Sequence, residues 1–134
     1  MMQLQNPVLR GFNPDPSFLR VGDDYYLATS TFEWFPGAAL YHSRDLVNWR
    51  MPGHGLTRKS QLNMTGIPDS GGIWAPALSM HDGVYYLVYT IVRNRVGAFT
   101  ASAPESALAI FARADGTGLD QRHRAPRISS FAWP

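Results

Sequence analysis

The chain has 134 residues, a formal net charge of +2 and no cysteine. That length suits a domain with a core of its own, and the small charge argues against nucleic acid or an anionic membrane as a partner. Without cysteine there is no disulfide, thiol nucleophile or thiolate metal site, and no run approaches the roughly 18 apolar residues of a membrane helix.

The first residues, MMQLQNPVLRGF, lack a charged segment followed by an apolar core and do not read as a secretory signal. With the absent cysteines, this makes a cytoplasmic location the expectation. Up to about Val92 the sequence predicts short β-strands. YYLAT (25–29) and YYLVYTIV (85–92) are rich in the aromatic and β-branched residues that fit a pleated surface. Each follows a turn signal, Gly22-Asp23-Asp24 or His81-Asp82-Gly83. AALYHS (38–43) predicts a further strand, and SRDLVNWR a polar turn that delivers Trp49 to the next. Met51 to Gly72 reads as a long loop.

Two of these strands belong to a repeat displaced by 60 residues. Pro16, Tyr25, Tyr26 and Leu27 recur without a gap as Pro76, Tyr85, Tyr86 and Leu87, while Phe18 matches Leu78 and Ser30 matches Thr90. The odd member is Asp15, whose counterpart is Ala75. Multi-strand units at such spacing are a mark of β-propeller blades, which bury their faces only against neighbours. Beyond Phe99 the text turns rich in Ala, Arg, Ser and Pro, with five arginines between residues 95 and 134 against Glu105, Asp115 and Asp120. There the sequence predicts an irregular tail or a short helix over PESALAIFARA (104–114).

Chemistry concentrates at two places. In Asn13-Pro14-Asp15-Pro16-Ser17 each proline disfavours the helical region for the residue before it, so Asn13 and Asp15 are expected extended. A carboxylate held that way suits a general base; the alternative is a proline-rich turn with a solvated aspartate. The second place is Phe32-Glu33-Trp34-Phe35 with Trp74-Ala75-Pro76, whose aromatic faces could pack on sugar C–H faces or in a core. Core packing is the expectation for Phe35, and pairing with Arg44 or Arg10 for Glu33. The four histidines show no metal-ligand spacing, so no metal or other cofactor is expected.

Four stretches, NPVLRGFNPDPS, GDDYYLATSTFEWFPG, YHSRDLVNW and PDSGGIWAPALS, in that order, resemble the start of glycoside hydrolase family 43, in its β-xylosidase branch. The resemblance covers residues 6 to about 99. It implies an all-β fold in which residues 1–99 form the first two blades of a five-bladed β-propeller, followed by an atypical tail at 100–134. It also implies an inverting, exo-acting hydrolase taking xylose or arabinose from xylo-oligosaccharides or arabinosides. The family uses a general-base aspartate, a pKa-tuning aspartate and a general-acid glutamate. Asp15 matches the base, and Phe32, Trp74 and Ala75 match positions lining the pocket for the terminal sugar. Neither other acid has a motif in this chain. The abrupt change near Phe99 is what a shifted reading frame would produce, so the expectation is an inactive fragment of a longer glycosidase. The alternatives are a non-catalytic sugar-binding module acting through Phe32, Trp34 and Trp74, or a remnant without function.

Overall fold

A computed structural model describes residues 5–92 and the backbone of residues 105–113. Among these, every regular element is a β-strand, and no helix is long and apolar enough to cross a membrane. Strands β1 (Ser17–Val21), β2 (Asp24–Thr29), β3 (Gly37–Ser43) and β4 (Arg50–Leu56) form one antiparallel sheet in the order β1-β2-β3-β4. A second antiparallel sheet takes β5 (Gly72–His81), β6 (Val84–Val92) and β7 (Glu105–Arg113) in the order β5-β6-β7.

The repeat in sequence is a repeat in hydrogen bonding. In the first hairpin Phe18 faces Leu27, Arg20 faces Tyr25 and Val21 faces Asp24. In the second, Leu78 faces Leu87, Met80 faces Tyr85 and His81 faces Val84, the same pairs 60 residues on. Turn position 22, where Gly has φ +61°, becomes Asp82 at φ +47°, a left-handed conformation that aspartate tolerates better than most residues. The register is therefore set twice by one hairpin pattern, with each tight turn fixing which face looks inward.

Two expectations are corrected. Of the expected loop from Met51 to Gly72, residues 51–56 are strand: β4 is an edge strand, where Pro52 and Gly53 are tolerated because one side of the backbone needs no partner. In the tail, Glu105–Arg113 is the strand β7, paired with β6, rather than irregular or helical. Alanine and leucine are strong helix formers, but propensity is small per residue and pairing with the edge of β6 overrides it. The boundary near Phe99 and residues 114–134 lie outside the described residues.

SRDLVNW forms the expected turn. The Asp45 carboxylate accepts from the Val47 and Asn48 amides at 2.9 and 2.7 Å and from Asn48 Nδ2 at 2.7 Å. These bonds, the Asn48 side chain first, hold the Asp45 carboxyl well below the usual carboxylate range. Across the sheet, His42 Nε2 lies 2.7 Å from Asp24 and Arg50 Nε donates to His42 Nδ1 at 3.1 Å, stapling β2, β3 and β4 together.

The core lies between the two sheets: Ala28, Ala38 and Leu56 meet Ile73, Leu87, Tyr89 and Ile91. The segment after β4 adds Leu62, 1% exposed, and is tied down where the Tyr89 hydroxyl donates to the Gln61 carbonyl at 3.1 Å. Burying apolar area at about 25 cal/mol per Å² is what holds the sheets face to face. Three polar links add direction. Leu78 N donates to Ser17 Oγ at 2.9 Å, while Phe32 and Ile73 exchange N–H···O bonds of 3.0 and 2.9 Å.

Candidate active site

The site is built where the first sheet hands over to the second. The loop before β1 is pinned from three sides. Tyr41 on β3 donates its hydroxyl to Asn13 Oδ1 at 2.6 Å, and burial pushes the Tyr41 phenol up from its ordinary pKa, keeping it a donor. The Ser30 amide donates to the Pro14 carbonyl at 3.0 Å. The Ser30 hydroxyl donates to Asp15 Oδ2 at 2.7 Å.

Asp15 is not extended as the flanking prolines suggest. Its φ is +51°, in the left-handed region, and its counterpart Ala75 also has positive φ, at +39°. The repeat thus preserves an uncommon backbone conformation while exchanging the side chain. A non-glycine residue persists there only when its surroundings hold it, and here Ser30 reaches both: Ala75 N donates to Ser30 Oγ at 2.8 Å. Asp15 is exposed, and among the described residues its Oδ1 carries no hydrogen bond. One carboxylate oxygen is held; the other is open to solvent.

Beside it stands an aromatic wall. Phe32, itself at φ +51°, and Trp74 have ring centroids 5.8 Å apart at 48°. Phe12 continues the wall, 5.6 Å from Phe32 and 6.4 Å from Trp34. Trp74 is fixed by its Nε1–H, which donates to the Ser70 carbonyl at 2.9 Å. Glu33 turns to the same loop: its Oε2 accepts from Ser70 N at 3.0 Å, so it caps a backbone amide rather than pairing with Arg44 or Arg10. Arg44 sits instead beside Asp24, at 3.5 Å. Phe35 is 49% exposed and is not core, because the chain reverses there to enter β3.

The structure therefore brings Asp15, Phe32, Trp74 and Ala75 to one junction and leaves Glu33 to a supporting role. Sequence reasoning missed Phe12 as part of the wall and Ser30 as the link; the pairing of Ser30 with Thr90 in the repeat was the available signal. No group of three or more His, Asp or Glu among the described residues could hold a metal ion. An exposed carboxylate with one free oxygen, beside a wall of tilted aromatic rings, is chemically able to accept a proton from a water molecule.

Comparison with known proteins decides the family. The model of glycosyl hydrolases family 43 matches residues 4–112. The chain belongs to this family. It is 63% identical over 100 residues to xylosidase/arabinosidase 43B of Humicola insolens and 59% identical over 101 residues to xylan 1,3-β-xylosidase of a Vibrio species. Those matches cover 74% and 75% of this chain but 18% and 19% of the relatives. Among solved structures, xylan β-1,4-xylosidase of Bacillus halodurans superposes with a TM-score of 0.75 at 54% identity, covering 87% of this chain and 22% of that one. The chain thus spans about a fifth of the length of the curated relatives it matches. The family match continues past residue 99 into β7.

Proposed function

We propose that this chain carries the general-base part of an inverting, exo-acting glycoside hydrolase of the β-xylosidase or α-L-arabinofuranosidase type, with Asp15 as base. The two sheets are its first two propeller blades of five, and Phe32, Trp74 and Ala75 line the subsite for the terminal sugar. The observation that carries this reading is Asp15 itself. It is a strained, exposed carboxylate with one oxygen tied and one free, at the odd position of a repeat whose other copy has alanine.

Inversion needs two separated acids. One carboxylate activates water on one face of the sugar while the other protonates the leaving oxygen, the two carboxyl groups standing roughly 6.5–9.5 Å apart. Their pKa values must be pushed apart by distinct surroundings. The described residues supply the first role, and the general acid and the pKa-tuning aspartate belong to the remaining blades. The 134-residue chain alone is accordingly inactive. The family match runs to residue 112, and a shifted reading frame would explain the change in composition toward the C-terminus.

The purified chain is expected to release no xylose from an aryl β-xyloside. Grafting residues 5–92 in place of the matching segment of the Bacillus halodurans xylosidase is expected to give an active enzyme. A graft that folds and does not hydrolyse the xyloside refutes the reading. A second reading, a module that binds sugar without cleaving it, is favoured by the exposure of Phe12 and Trp34, at 65% and 68%. It requires the chain alone to bind xylo-oligosaccharide as well after Asp15→Ala as before.

A further inference from the structure

We propose that Ser30 is the positioning residue of Asp15 and couples its carboxylate to the backbone of the second sheet; this rests on the reading of Asp15 as general base. Ser30 is 1% exposed, so its hydroxyl must find partners inside the protein. A hydroxyl has one proton to give and lone pairs to receive. The Ala75 amide, 2.8 Å away, can only donate, and the Asp15 carboxylate, 2.7 Å away, accepts. The direction of the chain is therefore fixed: Ala75 N–H to Ser30 Oγ–H to Asp15 Oδ2.

Three consequences follow from that order. The bond to an ionised carboxylate is of the stronger, charge-assisted kind, and each bond in such a chain polarises the next. With Oδ2 already accepting from Ser30, Oδ1 is the less encumbered oxygen and the one assigned to take a proton from water. Ser30 also grips the loop by its own amide, which donates to the carbonyl of Pro14, so one buried residue fixes both the backbone entering Asp15 and the rotation of its carboxyl group.

The partner on the other side is as constrained as the base. The Ala75 amide reaches Ser30 from a left-handed residue at φ +39°, inside an irregularity of β5 between Trp74 and Ala77. The repeat explains how this arose physically. A small hydroxyl stands at this hairpin position in both copies, as Ser30 and Thr90, but the carboxylate exists in the first alone. The serine of the first copy thus links the left-handed residues of both copies, Asp15 and Ala75. The base is set by the junction of the two sheets rather than by its own loop.

Proton–nitrogen NMR of the full 134-residue chain tests this by following the Ala75 amide. Asp15→Asn removes the negative charge from an exposed side chain and is expected to move the Ala75 amide proton upfield, because the serine hydroxyl between them becomes less polarised. In a Ser30→Ala background the same change is expected to leave that proton where it was. Ser30→Thr, which restores the hydroxyl, is expected to restore the response. An Ala75 amide unmoved by Asp15→Asn in an otherwise native spectrum overturns the proposal, even if Ser30→Ala does not fold. A response that survives Ser30→Ala overturns it as well. Neither result depends on turnover, so loss of the coupling and loss of the base assignment are read separately.

Discussion

In the grafted enzyme, Asp15→Asn is expected to slow hydrolysis of an aryl β-xyloside by about 10²–10⁴-fold, the usual contribution of a positioned proton acceptor. Asparagine keeps the shape of the side chain, and its carbonyl oxygen can still accept from the Ser30 hydroxyl. What it cannot do is take a proton from water. Asp15 lies outside the core, but its carboxylate accepts from the buried Ser30 hydroxyl, so stability is expected to fall by about 1 kcal/mol as that bond loses its charge. The loss therefore falls mainly on turnover rather than on folding. Turnover that survives the substitution in a folded graft removes Asp15 from the mechanism.

Gly72→Ala is expected to have the largest effect on stability. A Cβ at this position would overlap the Phe32 carbonyl oxygen, lie 2.5 Å from the Phe32 carbonyl carbon and meet Met64 Cε at 2.8 Å. Two of these atoms are backbone and cannot rotate away. The residue also sits at φ +83°, where a side chain costs about 1–2 kcal/mol. Relief requires parting Phe32 from Ile73, which sacrifices their two mutual hydrogen bonds at about 1 kcal/mol each. The total is at least about 3 kcal/mol once overpacking is included, and the aromatic wall at Phe32 shifts with it. Gly66→Ala is the matching control: φ is +73°, but nothing lies within 4 Å of the added carbon, so about 1 kcal/mol is expected. Urea midpoints of the two variants measure the difference, and equal midpoints would show that the close approach of Phe32 to Gly72 does not matter.

Much of this architecture is legible in the residues. Tyr-Tyr strands bounded by Gly-Asp turns, with 60-residue repetition, lead directly to β2, β6 and their shared register, because aromatic and β-branched runs fit few other structures. Strand β4 is hidden by Pro52, Gly53 and Gly55, which local rules assign to loops and which only an edge position permits. Strand β7 is hidden by its alanines, since a partner edge, not propensity, decides its state. Within the site, the sequence points to Asp15 through its prolines but gives its backbone the wrong conformation. The left-handed turn depends on Ser30 and Ala75, which lie 15 and 60 residues away. Long-range hydrogen bonds of that kind leave no trace in a local pattern. Glu33 illustrates the same limit: nearby arginines suggest an ion pair, and an amide 37 residues on takes its place.

The role of Asp15 as a base rather than a nucleophile is tested most directly by the anomer that the graft releases. Proton NMR of the first turnovers on an aryl β-xyloside, before mutarotation, is expected to show α-xylose appearing first, because water activated by Asp15 attacks the face opposite the leaving group. β-Xylose as the first product would mean retention through a covalent intermediate, and would contradict the account.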